Sequence, residues 1–196
     1  IITETFNQNN VFTIEELENL ELIHQKYLSN ISQLSENEYK KELDRLAIDL
    51  SWKSSQIEGN TYTLLETERL LKEKKTASGK LKDEAIMLLN HKEAIDFIVE
   101  NPDYLKLLSV MAVENIHSLL TKELGINRNL RKRRIGITGT NYKPLDNEFQ
   151  IKEAFREMCK LINAKSNIFE KSLLALVLIS YIQGFMDGNK RTARIV

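Results

Sequence analysis

Only two prolines and seven glycines interrupt 196 residues, and a chain with so few backbone breakers is expected to be mostly helical. Three capping boxes mark where helices start: Thr13-Ile14-Glu15-Glu16, Ser35-Glu36-Asn37-Glu38 and Thr63-Leu64-Leu65-Glu66. In each, the hydroxyl can accept from the N3 amide while the glutamate reaches back to the cap. The first predicts a helix to about Tyr27 or Leu28, with Ile14, Leu17, Leu20 and Ile23 at helical spacing. The second predicts a helix through Leu43, Leu46, Ile48, Leu50 and Trp52 to about Ile57, ended by Gly59-Asn60. The third covers 64–74 and is followed by a polar loop over 75–80. Further helices are expected over 81–100, 107–124, 147–164 and 167–184. The last is almost wholly apolar from Leu173 to Ile182, as a helix in the middle of an all-α domain would be.

One region resists the helical pattern. Between 130 and 144, Ile135-Gly136-Ile137-Thr138-Gly139-Thr140-Asn141-Tyr142 alternates β-branched or aromatic residues with glycine and polar turn formers, which predicts a β-hairpin. The run Arg131-Lys132-Arg133-Arg134 leads into it. Such a run is most often a solvated strand end that discourages edge pairing. It would also give the rim a positive potential for an acidic target, ATP or single-stranded nucleic acid.

Bulk properties bound the function. Acidic and basic residues balance at 28 each, without the bias usual in a general nucleic-acid or membrane-surface protein. A chain of 196 residues with 42% hydrophobic content can bury one substantial core, so a single domain over 1–196 is expected. The run 173–182 is too short to cross a bilayer, and the first residues carry no signal-like segment. A lone cysteine, Cys159, excludes an internal disulfide and fits a reducing, cytoplasmic compartment. It reads as a core residue. His24, His91 and His117 share no metal-ligand spacing. Both ends of the chain read as cuts.

The chemistry gathers in Gln183-Gly184-Phe185-Met186-Asp187-Gly188-Asn189-Lys190-Arg191-Thr192-Ala193-Arg194. Gly184 is expected to break the apolar helix, Gly188 to allow a tight turn, and Asn189 to cap a segment starting Lys190-Arg191-Thr192. Free amides beside two arginines would make an anion site. Asp187 is the lone carboxylate that Mg²⁺ needs when phosphates and water supply its other ligands.

This stretch resembles the signature of the Fic (Fido) family, His-Pro-Phe-x-Asp/Glu-Gly-Asn-Gly/Lys-Arg-x-x-Arg, at Phe185, Asp187, Gly188, Asn189, Lys190, Arg191 and Arg194. Gln183 stands where the signature has histidine, and Gly184 where it usually has proline. The resemblance implies an all-α, Fic-type helical bundle with a small β-hairpin flap at about 130–144. It implies transfer of AMP from ATP to a protein hydroxyl. Asp187 would hold Mg²⁺, and Gly188, Asn189, Lys190, Arg191 and Arg194 would bind the nucleotide. Gln183, Asp187, Asn189 and Arg191 occupy the catalytic positions. An amide does not titrate near neutral pH, so Gln183 can orient a hydroxyl but cannot take its proton.

Ser54-Ser55-Gln56-Ile57-Glu58-Gly59-Asn60 is similar to the family's inhibitory element, Ser/Thr-x-x-x-Glu-Gly/Asn. Ser54, Glu58, Gly59 and Asn60 would then form an inhibitory helix end at about 36–60, with Glu58 paired to Arg194. In the flap, Ile137 and Tyr142 are the candidates for contact with a target segment by strand addition.

Two functions follow from the resemblance. One is an AMP-transferring enzyme restrained by Glu58. The other is a degenerate nucleotide-binding sensor or regulatory module, coupled to a DNA-binding region beyond Val196. Expected partners are ATP and a target protein with an acceptor hydroxyl, with no membrane and with nucleic acid only through a region outside this chain. A homodimer stays open.

Overall fold

The computed structural model describes residues 10–137 and 139–196. Their helices are α1 (Ile14–Ile31), α2 (Glu36–Ile57), α3 (Leu64–Glu73), α4 (Lys82–Glu100), α5 (Val110–Thr121), α6 (Glu148–Ala164), α7 (Ile168–Ile182) and α8 (Asn189–Ile195). All three capping boxes form. Thr13, Ser35 and Thr63 each accept from the N3 amide, and Glu16, Glu38 and Glu66 return the bond to the cap backbone. Asn147 and Asn167 cap α6 and α7 in the same local way.

The largest core lies where α5, α6, α7 and α8 meet. Val113, Ile151, Phe155, Met158, Leu174, Leu178, Ile179 and Phe185 are all buried there. Smaller clusters join α3 to α4 through Tyr62, Leu70, Ala85 and Leu88, and α4 to α5 through Ala94, Ile116 and Leu120. Helix α1 contributes no buried residue. It is tied down at its entry, where the Val11 amide donates to Glu170, and by the edge of the His24 ring against Phe169.

Five sequence expectations change, one of them α5, which runs over Val110–Thr121 rather than 107–124. The expected hairpin at 130–144 does not form, since no strand occurs among the described residues; Thr138 lies outside them. A two-stranded ribbon is marginal by itself in water. Here the segment is held instead by side chains, with Arg131 binding backbone at both of its ends and Tyr142 Oη donating to Tyr181 O. Helix α7 is not buried all round, because Leu176, Val177 and Tyr181 are exposed while Leu174, Leu178 and Ile179 face the core. Helix α1 runs a turn further than expected, to Ile31. Helix α7 ends at Ile182, with Gln183 rather than Gly184 as its break.

Candidate active site

The loop after α7 begins with a residue in an uncommon conformation. Gln183 caps the helix in the left-handed region, at φ 53°. Its amide folds back so that Nε2 donates to Ser180 O at 2.5 Å. Its carbonyl accepts from Arg131 Nε at 2.7 Å, and the Arg131 amide donates to Gly184 O at 2.8 Å. Gly184 is a glycine for reasons of space. A Cβ there would lie 2.3 Å from Phe155 Cε2 and 3.0 Å from Leu130 Cδ2.

Phe185 anchors the turn. It is fully buried, edge-on to Phe155 and flat against the His117 ring at 3.7 Å between centroids. Asn189 does not cap the following helix. Its Oδ1 accepts from Phe185 N at 2.8 Å and its Nδ2 donates to Phe185 O at 2.9 Å, which closes the loop on itself. The N-cap is Gly188, at φ 76°, where the left-handed backbone favours glycine. The Gly188 amide is not free either, because it donates to Asp187 Oδ1 at 2.6 Å.

Charge is arranged around this turn. Asp187 is 65% exposed and accepts on Oδ2 from Arg191, whose own side chain is only 3% exposed. Arg191 Nε and Nη1 are buried with no protein partner. A buried guanidinium with unspent donors is costly unless an acceptor arrives. The second arginine is already engaged. Arg194 Nε donates to Ser54 Oγ at 2.8 Å, and Nη2 donates to Ser54 O at 3.3 Å and to Glu58 Oε1 at 2.5 Å.

Local structure holds Glu58 in place. It is the C-cap of α2, followed by Gly59 at φ 88°, and the Asn60 amide group donates to Glu84 O and accepts from Tyr62 N. Trp52 Nε1 adds a bond to Tyr62 O. The helix end is thereby fixed to α4 on one side and, through Ser54 and Glu58, to α8 on the other. In the flap segment Ile137 is half-buried, and Tyr142 lies against the Tyr181 ring at 4.6 Å. Burial and its bond to Tyr181 push the Tyr142 phenol up to about 12. Lys190 is exposed at the loop rim.

Residues 104–196 match the model of the Fic/DOC family. The loop and helices α5 to α8 lie within that match. Solved structures of similar fold include a Fic-1 fragment, residues 134–508, from C. elegans, with a TM-score of 0.77 and 16% identity over 92% of this chain. A Fic domain containing signaling protein from Bacteroides thetaiotaomicron gives 0.75 and 21% over 90% of this chain. A Fic family protein from Desulfovibrio desulfuricans gives 0.70 and 15% over 95%. The chain spans 54%, 69% and 57% of those three proteins, respectively. A search of curated protein sequences gives no match.

Three residues lie at this loop that nothing in the sequence places there. Arg131 read as part of a solvated basic run, yet it is 2% exposed and lies against the start of the loop. His117 also lies under the loop, with Nδ1 3.0 Å from Arg128 O and Nε2 3.0 Å from Asp187 O. Burial pushes its pKa down, against the pull of those carbonyls. His91 is buried close to both arginines; desolvation first, then Arg194 and Arg191, push it down to about 3. Neither buried ring is open to a hydroxyl arriving from another protein, so neither replaces the base absent at Gln183.

Among the described residues no cluster of three or more His, Cys, Asp or Glu could hold a metal unaided. The donor set still fits Mg²⁺ brought in with phosphates. Asp187 offers an exposed carboxylate, and Arg191, paired with it through Nη2, brings a cation to the same turn.

Proposed function

We propose that this Fic domain binds ATP with Mg²⁺ at the 187–194 loop, transfers AMP to a protein hydroxyl, and is held back by Glu58. Members of the family commonly transfer AMP to proteins. The observation that carries the reading is the contrast between the arginines. Arg191 keeps two buried donors unspent, while Arg194 is taken by Ser54 and Glu58.

In this scheme Arg191 binds phosphate oxygens by charge-assisted bonds, and Asp187 is the protein ligand for the metal. The metal would supply charge neutralisation on the phosphates. Asn189 shapes the turn and does not itself touch phosphate. The acceptor oxygen attacks the α-phosphorus, the bond to the β-phosphate oxygen breaks, and pyrophosphate leaves. The acceptor proton goes to water or to a phosphate oxygen, since the Gln183 amide cannot take it. An arginine held by a carboxylate cannot also hold the γ-phosphate, so ATP binds weakly or misaligned until Glu58 withdraws. Ile137 and Tyr142 would be the contacts for a segment of the target protein.

The Gln183 amide supports a second reading, because it is turned onto Ser180 O rather than outward. On that reading the domain binds nucleotide as a sensor, and Glu58 gates occupancy rather than turnover. Incubating the Glu58→Gly variant with Mg²⁺ and α-phosphate-labelled ATP, with thermal stabilisation read on the same sample, separates the two. Label lost on Asp187→Ala or Arg191→Ala supports transfer. Stabilisation without label supports the sensor, and the absence of both overturns nucleotide binding.

A further inference from the structure

We infer that Arg131 is a positioning residue that locks the flap segment and the catalytic position 183 together, so that the two order or loosen as one unit. The inference rests on the AMP-transfer reading for its meaning, though not for its test.

The geometry is specific. Arg131 Nε donates to Gln183 O at 2.7 Å, Nη1 to Arg133 O at 2.8 Å and Nη2 to Leu145 O at 2.6 Å. Its own amide donates to Gly184 O at 2.8 Å. One residue therefore binds the backbone that leaves α7 and both ends of the segment at 133–145. Apart from Tyr142, whose Oη donates to Tyr181 O and which holds the middle of the segment, the residues around Arg131 anchor it only weakly. Lys132 and Arg134 are exposed and pair with Glu148 and Asp146, surface contacts of small energy.

The acceptors of the guanidinium are neutral carbonyls, and the side chain is 2% exposed. Burying a cation whose hydrogen-bond acceptors are all neutral is expensive even with Asp146 near enough to favour the charge, and an apolar side chain of similar size would fill the space at lower cost. What an apolar residue cannot do is hold three carbonyls from separated stretches of chain in one plane. Lysine cannot do it either, because its donors sit on one compact nitrogen while those of arginine are spread over a rigid fork. The carbonyl of Gln183 is the acceptor on Nε, and Gln183 has the left-handed backbone that aims whatever side chain stands at 183. Fixing that carbonyl fixes the aim.

The rest of the loop has its own anchors. Asn189 binds Phe185, Thr192 Oγ1 donates to Gly188 O, and Arg191 binds Asp187. Loss of Arg131 should therefore free 132–145 and 183–184 while leaving the nucleotide end of the loop in place.

The test compares the unmodified chain with Arg131→Lys and Arg131→Gln by amide hydrogen exchange, with ATP binding measured by thermal shift on the same preparations. Exchange is expected to accelerate at least tenfold in both 132–145 and 183–184, with ATP affinity unchanged within twofold. In a background carrying both Glu58→Gly and Gln183→His, self-labelling should lose kcat with little change in the KM for ATP. Faster exchange in the flap segment alone, or in neither, would overturn the coupling. Parallel loss of ATP affinity and protection throughout the chain would show that Arg131 only supports the fold. Should neither background label at all, the AMP-transfer reading fails while the exchange result still decides the coupling.

Discussion

Phe155 fills the space that a side chain on Gly184 would need, with its Cε2 only 2.3 Å from where that Cβ would sit. Phe155 is fully buried and also meets the Phe185 ring edge-on, so it cannot swing into solvent. Gly184→Ala is expected to destabilise the protein by about 1–3 kcal/mol through overpacking. Gly184→Ala combined with Phe155→Leu should lose less than the sum of the two single variants. Denaturant midpoints of the four proteins check this, and strict additivity would mean that the two positions do not share the space. A proline placed at 184 of this chain would meet the same obstruction.

Glu58→Gly removes a carboxylate that holds Arg194 at 2.5 Å. A charge-assisted bond of this kind contributes roughly 1.5–3 kcal/mol, so ATP affinity should rise at least about tenfold once Arg194 is free. Ser54→Ala removes a lesser contact and should have a smaller effect in the same direction. Isothermal titration with ATP and Mg²⁺ measures both, and unchanged affinity in Glu58→Gly would remove the gate.

In the Glu58→Gly background, Gln183→His should place a titratable group at a backbone conformation that histidine tolerates better than most residues. Transfer is expected to rise by roughly 10²- to 10⁴-fold, with ATP affinity little changed because the nucleotide contacts lie further along the loop. Equal labelling by both forms would take position 183 out of the chemistry.

His91 gives the fold a proton-linked weakness. Its pKa is near 3 when folded, against an ordinary 6.5, so between those values the unfolded chain binds the proton and the folded one does not. Stability is therefore kept above pH 6.5 and lost as pH falls from 6.5 towards 3. The limiting slope is roughly 1.4 kcal/mol per pH unit, or about 4 °C in Tm for a chain of this size. His91→Phe should flatten the Tm profile between pH 6.5 and 5, above the range where carboxylates titrate. Parallel profiles for the two proteins would show that His91 is already solvated.

The sequence by itself determined the helices, because caps and apolar spacing act within one or two turns. The hydroxyls of Thr13, Ser35 and Thr63 find their glutamates three residues on, whatever the rest of the chain does. The loop from Asp187 to Arg194 and the Ser54-to-Asn60 element were legible for the same reason, as fixed residue types at fixed short spacing. Tertiary structure alone decided the rest. Asn189 looked like a cap and instead braces Phe185 four residues earlier, because burial of that ring against His117 and Phe155, both far off in sequence, sets the turn. Arg131 looked solvated and is buried, because its acceptors lie as far as 52 residues away. The glycine at 184 depends on a ring 29 positions earlier, and the histidines beneath the loop on helices that pack there. No local pattern encodes a partner so distant in the chain, because the contact exists only once the helices have packed.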